Sequence, residues 1–108
     1  GWLAMVTIEN MNINYICVGK GENILVLHGW GANIDTIMPI VNLLKDHFKV
    51  YALDLPGFGK SDKPEFPFNS QDYSRIVKKF MDLMEKKSYP HWPFLWRESV
   101  NNTSCKSS

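Results

Sequence analysis

The chain has 108 residues, a formal net charge of +1 and 44% hydrophobic residues, enough apolar material for one globular core and for no more than one domain. A near-neutral balance leaves no basic face for nucleic acid or an anionic membrane, and no stretch approaches the ~18 apolar residues of a membrane span, so neither partner is expected. Cys17 and Cys105 form no C-x-x-C pattern and no disulfide framework, which implies a reducing, cytoplasmic setting with Cys17 as a small buried hydrophobe.

The start, Gly1-Trp2-Leu3-Ala4-Met5, lacks the basic region and apolar core of a secretory leader, and Met5 is the expected natural start. Residues 6–9 and 12–18 read as two short strands, the second loosely alternating, with Ile13, Tyr15 and Cys17 on one face. A turn cluster, Gly19-Lys20-Gly21-Glu22-Asn23, leads into Ile24-Leu25-Val26-Leu27, an unbroken apolar run suited to a strand buried on both faces. Residues 34–48 read as a helix capped by Asp35 or Thr36, with Pro39 in its first turn and Ile37, Ile40, Val41 and Leu44 as its stripe. His47 would then sit at the helix end, where a cation offsets the dipole. Residues 50–53 make a second buried strand, and residues 55–69 a loop rich in glycine and proline. Residues 70–87 return to helical spacing, with Tyr73, Ile76, Val77, Phe80, Leu83 and Met84 on one face and Asn69 or Ser70 as cap. The order β-β-β-α-β-α predicts an α/β fold with a mostly parallel sheet. Residues 88–108 break the pattern: two prolines and two tryptophans crowd positions 89–96 and predict an irregular tail. The division is therefore 1–87 and 88–108.

Two glycine-rich loops follow the two buried strands. His28-Gly29-Trp30-Gly31 can aim backbone N–H groups at developing negative charge, and in open α/β sheets such loops line the ligand crevice. Asp54-Leu55-Pro56-Gly57-Phe58-Gly59-Lys60-Ser61-Asp62 contains a Gly-Lys-Ser end, but a phosphate loop needs glycine where Asp54 stands. The dinucleotide pattern fails as well, because its third glycine position holds Asp62. His28, His47 and His91 have no metal-ligand spacing, and Asp72, Asp82 and Glu85 read as a solvated face. No cofactor and no metal are expected.

Taken together, the two loops resemble the α/β-hydrolase superfamily over roughly residues 13–87. His28-Gly29-Trp30-Gly31 resembles the H-G-x-G-type loop after strand three of that family, and Asp54, Gly57, Gly59 and Ser61 fall in its D-x-x-G-x-G-x-S loop after strand four. The resemblance implies hydrolysis of carboxylic esters or related bonds by a nucleophile, a histidine and an acid. It gives Trp30 the role of lending a backbone N–H to the oxyanion hole and implies a small-molecule substrate. The family nucleophile, serine or in some members aspartate, sits on a sharp turn, written G-x-S-x-G where it is serine. That motif is missing from the 108 residues, and Ser88 and Ser99 lack flanking glycines. An incomplete, inactive hydrolase domain is therefore expected.

The genetic code suggests why. Read one nucleotide later from about Ser88, the Trp92 codon before proline must become glycine, and so must the Trp96 codon before arginine. Between them the codons of Pro93, Phe94 and Leu95 permit histidine, serine and phenylalanine, so the shifted frame allows Gly-His-Ser-Phe-Gly where the nucleophile turn belongs. A frameshift within a complete hydrolase gene is the expectation. The alternative is a genuine terminus in which Trp92, Phe94 and Trp96 form an apolar docking patch for a partner, a non-catalytic interaction module. By the family's strand order, a lost fifth strand would leave residues 24–27 as an exposed apolar edge, open to self-association and costly in stability.

Overall fold

The computed structural model describes residues 3–87 and 94–97. Five strands and two helices follow in the order β1 (Leu3–Ile8), β2 (Met11–Gly19), β3 (Glu22–Leu27), α1 (Ile34–Leu44), β4 (Phe48–Leu53), α2 (Ser70–Lys87) and β5 (Phe94–Arg97). They build one mixed sheet in the spatial order β1-β2-β4-β3-β5. β1 and β2 form an antiparallel hairpin, β2 runs antiparallel to β4, and β3 lies parallel to both β4 and β5. The expected α/β class and its two N-terminal antiparallel strands are present.

Side-chain alternation assigns each face of the sheet to one helix. Ile16, Ile24, Val26, Val50 and Ala52 pack against Ile34, Ile37 and Val41 of α1. Their neighbours Tyr15, Leu25, Leu27, Tyr51 and Leu53 point the other way, against Ile76, Phe80 and Met84 of α2. A strand covered on both faces has no wet side, which is why β3 and β4 read as unbroken apolar runs rather than alternating ones. Ile24, Leu25, Val26, Val50 and Leu53 are almost wholly buried, each contributing about 1.5–3 kcal/mol relative to exposure. That packing, more than helix propensity, holds α1 and α2 in place.

Several boundaries differ from expectation, each through a contact distant in sequence. The first hairpin turns on Glu9 and Asn10, both with positive φ (51° and 66°), a two-residue loop matched to the strand twist. Glu9 therefore leaves the strand, and its carboxylate takes paired hydrogen bonds from Arg75 Nε (2.7 Å) and Nη2 (3.1 Å), with Lys79 Nζ at 2.9 Å. α1 ends at Leu44 rather than at 48, because Phe48 is claimed by β4 opposite Glu22. His47 thus lies beyond the helix, in the turn, where its N–H donates to Leu44 O. Asn33, not Asp35 or Thr36, is the N-cap residue of α1, and Pro39 stands inside the helix, past its first turn. Cys17 lies in β2, half-buried against the α2-side core and unpaired.

The expected irregular tail contains β5, and its register beside β3 (Ile24 with Phe94, Leu27 with Arg97) means that β3 is not an exposed edge. The prediction of an edge at residues 24–27 is overturned. Phe94-Leu95-Trp96 is an apolar triplet beginning after Pro93 in sequence, so neither nearby proline interrupts its hydrogen-bonding ladder. Ser88, His91, Trp92, Ser99 and Cys105 lie outside the described residues.

Candidate functional site

β3 and β4 run side by side with Leu27 opposite Leu53, so the chain leaves both strands at the same end of the sheet and at neighbouring points. His28 and Asp54 are the first residues beyond those strands, and both are buried, 3% and 2% exposed. The His28 ring joins the two loops: Nε2 accepts the Leu55 N–H at 3.0 Å, and Nδ1 lies 2.8 Å from Gly29 O. A peptide N–H can only donate and a carbonyl can only accept, so the ring carries its proton on Nδ1. With both nitrogens engaged, His28 acts as a strut and not as an acid or base. It fixes a turn in which Ala32 N–H donates to Gly29 O at 3.1 Å. Trp30 and Gly31 form the tip of that turn, and Gly31 has a φ of 70°.

Asp54 ties the second loop to three other segments. Its Oδ1 accepts the first amide of α1, Ile34 N–H, at 2.8 Å; its Oδ2 accepts Asn14 Nδ2–H at 2.9 Å and Lys60 N–H at 3.0 Å. The positive end of the α1 dipole faces this carboxylate. Ser61 closes the same loop: its hydroxyl donates to Asp54 O at 2.5 Å and accepts Asn14 N–H at 2.9 Å. Gly57 N–H donates to Asp62 O, and Asp62 N–H in turn to Asn12 O. Gly59 passes so near Asp54 that a Cβ there would stand 2.3 Å from its Cγ. Asp54 thus accepts three structural hydrogen bonds and Ser61 donates one and accepts another, so both side chains hold the loop in shape.

A cluster of aromatic rings covers the outer side of these loops. Trp30 lies 5.3 Å from Phe58 and 5.6 Å, edge-on, from Tyr73; Phe68 lies 5.3 Å from Tyr73 and 5.7 Å from Phe66. Phe58 also meets the His28 ring at 5.4 Å. Between the rings opens a cleft of about 460 Å³, completed by Pro56, Pro64 and Pro67 and flanked by Lys63 and Glu65. Burial pushes the Tyr73 phenol above its ordinary pKa, with the nearby Asp72 carboxylate adding to the shift, so the ring stays neutral here. Asp72 itself is held low, first by the Asn69 amide and then by Arg75.

The structure thus brings together His28, Gly29, Trp30, Gly31, Asp54, Gly57, Gly59 and Ser61, the residues that the two motifs single out. Asn14 and the aromatic wall were missed. The signal for the wall was present: Phe58, Phe66 and Phe68 sit in a proline-rich loop and belong to no helical stripe or strand alternation. Among the described residues no group of three or more His, Cys, Asp and Glu side chains converges, and no helix is long and apolar enough to cross a membrane.

A sequence model of the alpha/beta hydrolase fold matches residues 22–92, reaching beyond residue 87, where the resemblance was expected to stop. The chain is 48% identical over 46 residues to a pimeloyl-[acyl-carrier protein] methyl ester esterase of Pseudoalteromonas atlantica, covering 43% of this chain and 18% of that protein. It is 31% identical over 99 residues to a putative epoxide hydrolase of Stigmatella aurantiaca, covering 79% of this chain and 22% of that one. Among solved structures, a membrane phospholipase A described as a bacterial virulence factor superposes with a TM-score of 0.81 at 27% identity, covering 92% of this chain and 32% of that one. The chain therefore spans about a fifth to a third of the length of the proteins it matches.

Proposed function

Because this chain belongs to the alpha/beta hydrolase fold family, we propose that its loop after β3 is one arm of an oxyanion-binding site for ester-type hydrolysis, with the Trp30 backbone N–H as donor. The observation that carries this reading is the His28 Nε2 bond to Leu55 N–H at 3.0 Å. It pins the turn bearing Trp30 at the carboxyl ends of two adjacent parallel strands, the place where open α/β sheets build their ligand crevice. A donor fixed before the reaction stabilises developing charge without reorganising. The esterase, epoxide hydrolase and phospholipase named above support hydrolysis as the class of reaction. A small-molecule ester is the substrate class we favour.

The same reading holds that these 108 residues are inactive alone. The G-x-S-x-G motif is absent from them, and the two best-placed side chains, His28 and Ser61, are held by backbone partners. We attribute the absence to a frameshift near Ser88, which turns a permitted Gly-His-Ser-Phe-Gly into the segment from Trp92 to Trp96. A reducing, cytoplasmic setting fits the unpaired Cys17. Two measurements test this. The purified chain is expected to hydrolyse p-nitrophenyl butyrate no faster than buffer, and turnover would refute inactivity. The coding DNA, read one nucleotide later from Ser88, is expected to give serine opposite Phe94; a stop codon near Val100 or another residue there would refute the frameshift.

A further inference from the structure

We propose that His28 is a pH-sensitive catch between the two loops of the site, and that proton uptake by its ring releases the turn carrying Trp30. The inference rests on the reading of Trp30 given above and adds a means of regulation to that site. It follows from the order of donors and acceptors around one ring. Gly29 O can only accept and Leu55 N–H can only donate. The ring bridges them in its neutral form alone, with Nδ1 at 2.8 Å from the first and Nε2 at 3.0 Å from the second. A second proton goes to Nε2. The ring then presents a donor to a donor, and the bond to Leu55 N–H is lost.

Burial turns this local conflict into a conformational choice. His28 is 3% exposed and Phe58 packs against it at 5.4 Å, so a charged ring in this position is held away from bulk solvent. The titratable side chains of the neighbouring segments do not offset that charge. On the β4 side, the Asp54 carboxylate is occupied by Ile34 N–H, Asn14 Nδ2–H and Lys60 N–H, and the Asp62 carboxylate by Asn12 N–H. On the α2 side, Tyr73 lies behind Phe58, with ring centroids 6.4 Å apart, and is neutral. Asp35 belongs to the first turn of α1, and the ion pairs of the described residues fall at Glu9, Asp72 and Asp82. Proton uptake is therefore favoured in an arrangement where the ring has left its place and the loops have parted. The release reaches Trp30 directly, because Gly29 O, which faces Nδ1, also accepts the Ala32 N–H that closes the Trp30 turn. The closed arrangement binds one proton fewer than the open one, so opening rises as pH falls, by at most about tenfold per pH unit for one coupled proton.

The test uses the full chain. Amide exchange, corrected for its intrinsic pH dependence, reads the opening, and long-range nitrogen–proton NMR of the imidazoles reads the ring. Between about pH 8 and about pH 5, where an imidazole takes up its proton, protection at Leu55 and Ala32 is expected to fall about tenfold or more. The fall should run in step with protonation of His28 and with a shift of the Trp30 amide resonance. Val26 of β3 and Ala52 of β4 are expected to keep their protection. His28→Gln, whose amide oxygen can accept from Leu55 N–H without titrating, is expected to remove the pH dependence at Leu55. Constant protection at Leu55 over that range overturns the proposal, whether or not the ring titrates. So does a loss shared equally by Val26 and Ala52, which is unfolding of the sheet, and so does an unchanged pH dependence in His28→Gln. Wild-type exchange and ring titration decide the matter even where the variant does not fold. Ester turnover and the coding DNA test the parent reading and enter neither readout, so a failed catch and a failed parent reading give different results.

Discussion

The Asp54 carboxylate accepts the N–H of Ile34 at 2.8 Å, 20 positions back along the chain. One side chain at the end of β4 thereby serves as the N-terminal partner that Asn33, with no side-chain cap bond of its own, does not supply. A helix start leaves donors that must be satisfied somewhere, and here the partner comes from the other loop of the site. The consequence is that the two loops are mechanically one unit.

Asp54→Ala tests that unity. It strands two buried donors, Ile34 N–H and Asn14 Nδ2–H, and a half-buried one, Lys60 N–H. Each buried donor left unsatisfied costs about 1–3 kcal/mol, so a total of about 2–6 kcal/mol is expected against a net stability of about 5–15 kcal/mol. Asn14→Ala removes one partner of a carboxylate that keeps two others, and is expected to cost less. Urea denaturation of both variants checks the order, and equal losses would contradict the three-way role of Asp54.

Two glycines of the motifs separate strain from crowding. Gly31 and Gly59 both have positive φ, 70° and 52°, but a Cβ meets nothing within 4 Å at Gly31 and stands 2.3 Å from Asp54 Cγ at Gly59. Gly31→Ala is expected to cost only the left-handed backbone term, about 1–2 kcal/mol. Gly59→Ala adds displacement of a carboxylate that holds three donors, and is expected to exceed Gly31→Ala by at least the loss of one of those bonds, about 1 kcal/mol. Denaturation midpoints measured side by side are the check.

What the sequence disclosed and what it hid divide along sequence distance. Ile24 to Leu27 and the 50–53 segment announce themselves because a strand buried on both faces must be apolar throughout. α2 is legible from end to end, since its seam and its cap lie within one helix length. The end of α1 was not, because Phe48 is drawn into β4 by its pairing with Glu22, 26 positions back along the chain. β5 was hidden by its prolines, which weigh against a strand until its start after Pro93 is known. The motifs marked Asp54 and Ser61 as important, yet their partners Asn14 and Ile34 lie 20 to 47 positions away, beyond the reach of any local pattern.

Glu9 offers a pH prediction. Hydrogen bonds first from Arg75 and then from Lys79 hold its carboxyl down from 4.5 to about 2. A carboxylate with a depressed folded-state pKa contributes stability that is fully present above the unfolded value and is lost as pH falls through the folded one. The contribution is therefore expected to vanish between about pH 4.5 and about pH 2. Melting temperatures of wild type and Glu9→Gln should converge over that window and differ most above it. A constant gap across the window would show that the pair contributes no pH-dependent stability. The site is at the surface, so 1 M salt should narrow the gap as well.

The start of α2 links stability to the cleft. Asn69 and Asp72 bond reciprocally, Asp72 N–H to Asn69 Oδ1 and Asn69 N–H to Asp72 Oδ2, both at 2.9 Å. Tyr73, the next residue, is packed edge-on against Trp30 and Phe68. Removing the cap by Asn69→Ala is expected to cost about 1 kcal/mol, and Asn69→Gly only a few tenths. Because the one lost bond, Asp72 N–H to Asn69 Oδ1, lies in the first turn, the opening should be local. Amide exchange at residues 72 and 73 should quicken, while Phe80 and Met84, buried against the sheet, keep the protection of the whole fold. If the first turn frays, Tyr73 loses its fixed place beside Trp30, more so in Asn69→Ala than in Asn69→Gly. Uniformly faster exchange along α2 would mean instead that the cap supports the entire helix and that its effect on the cleft is indirect.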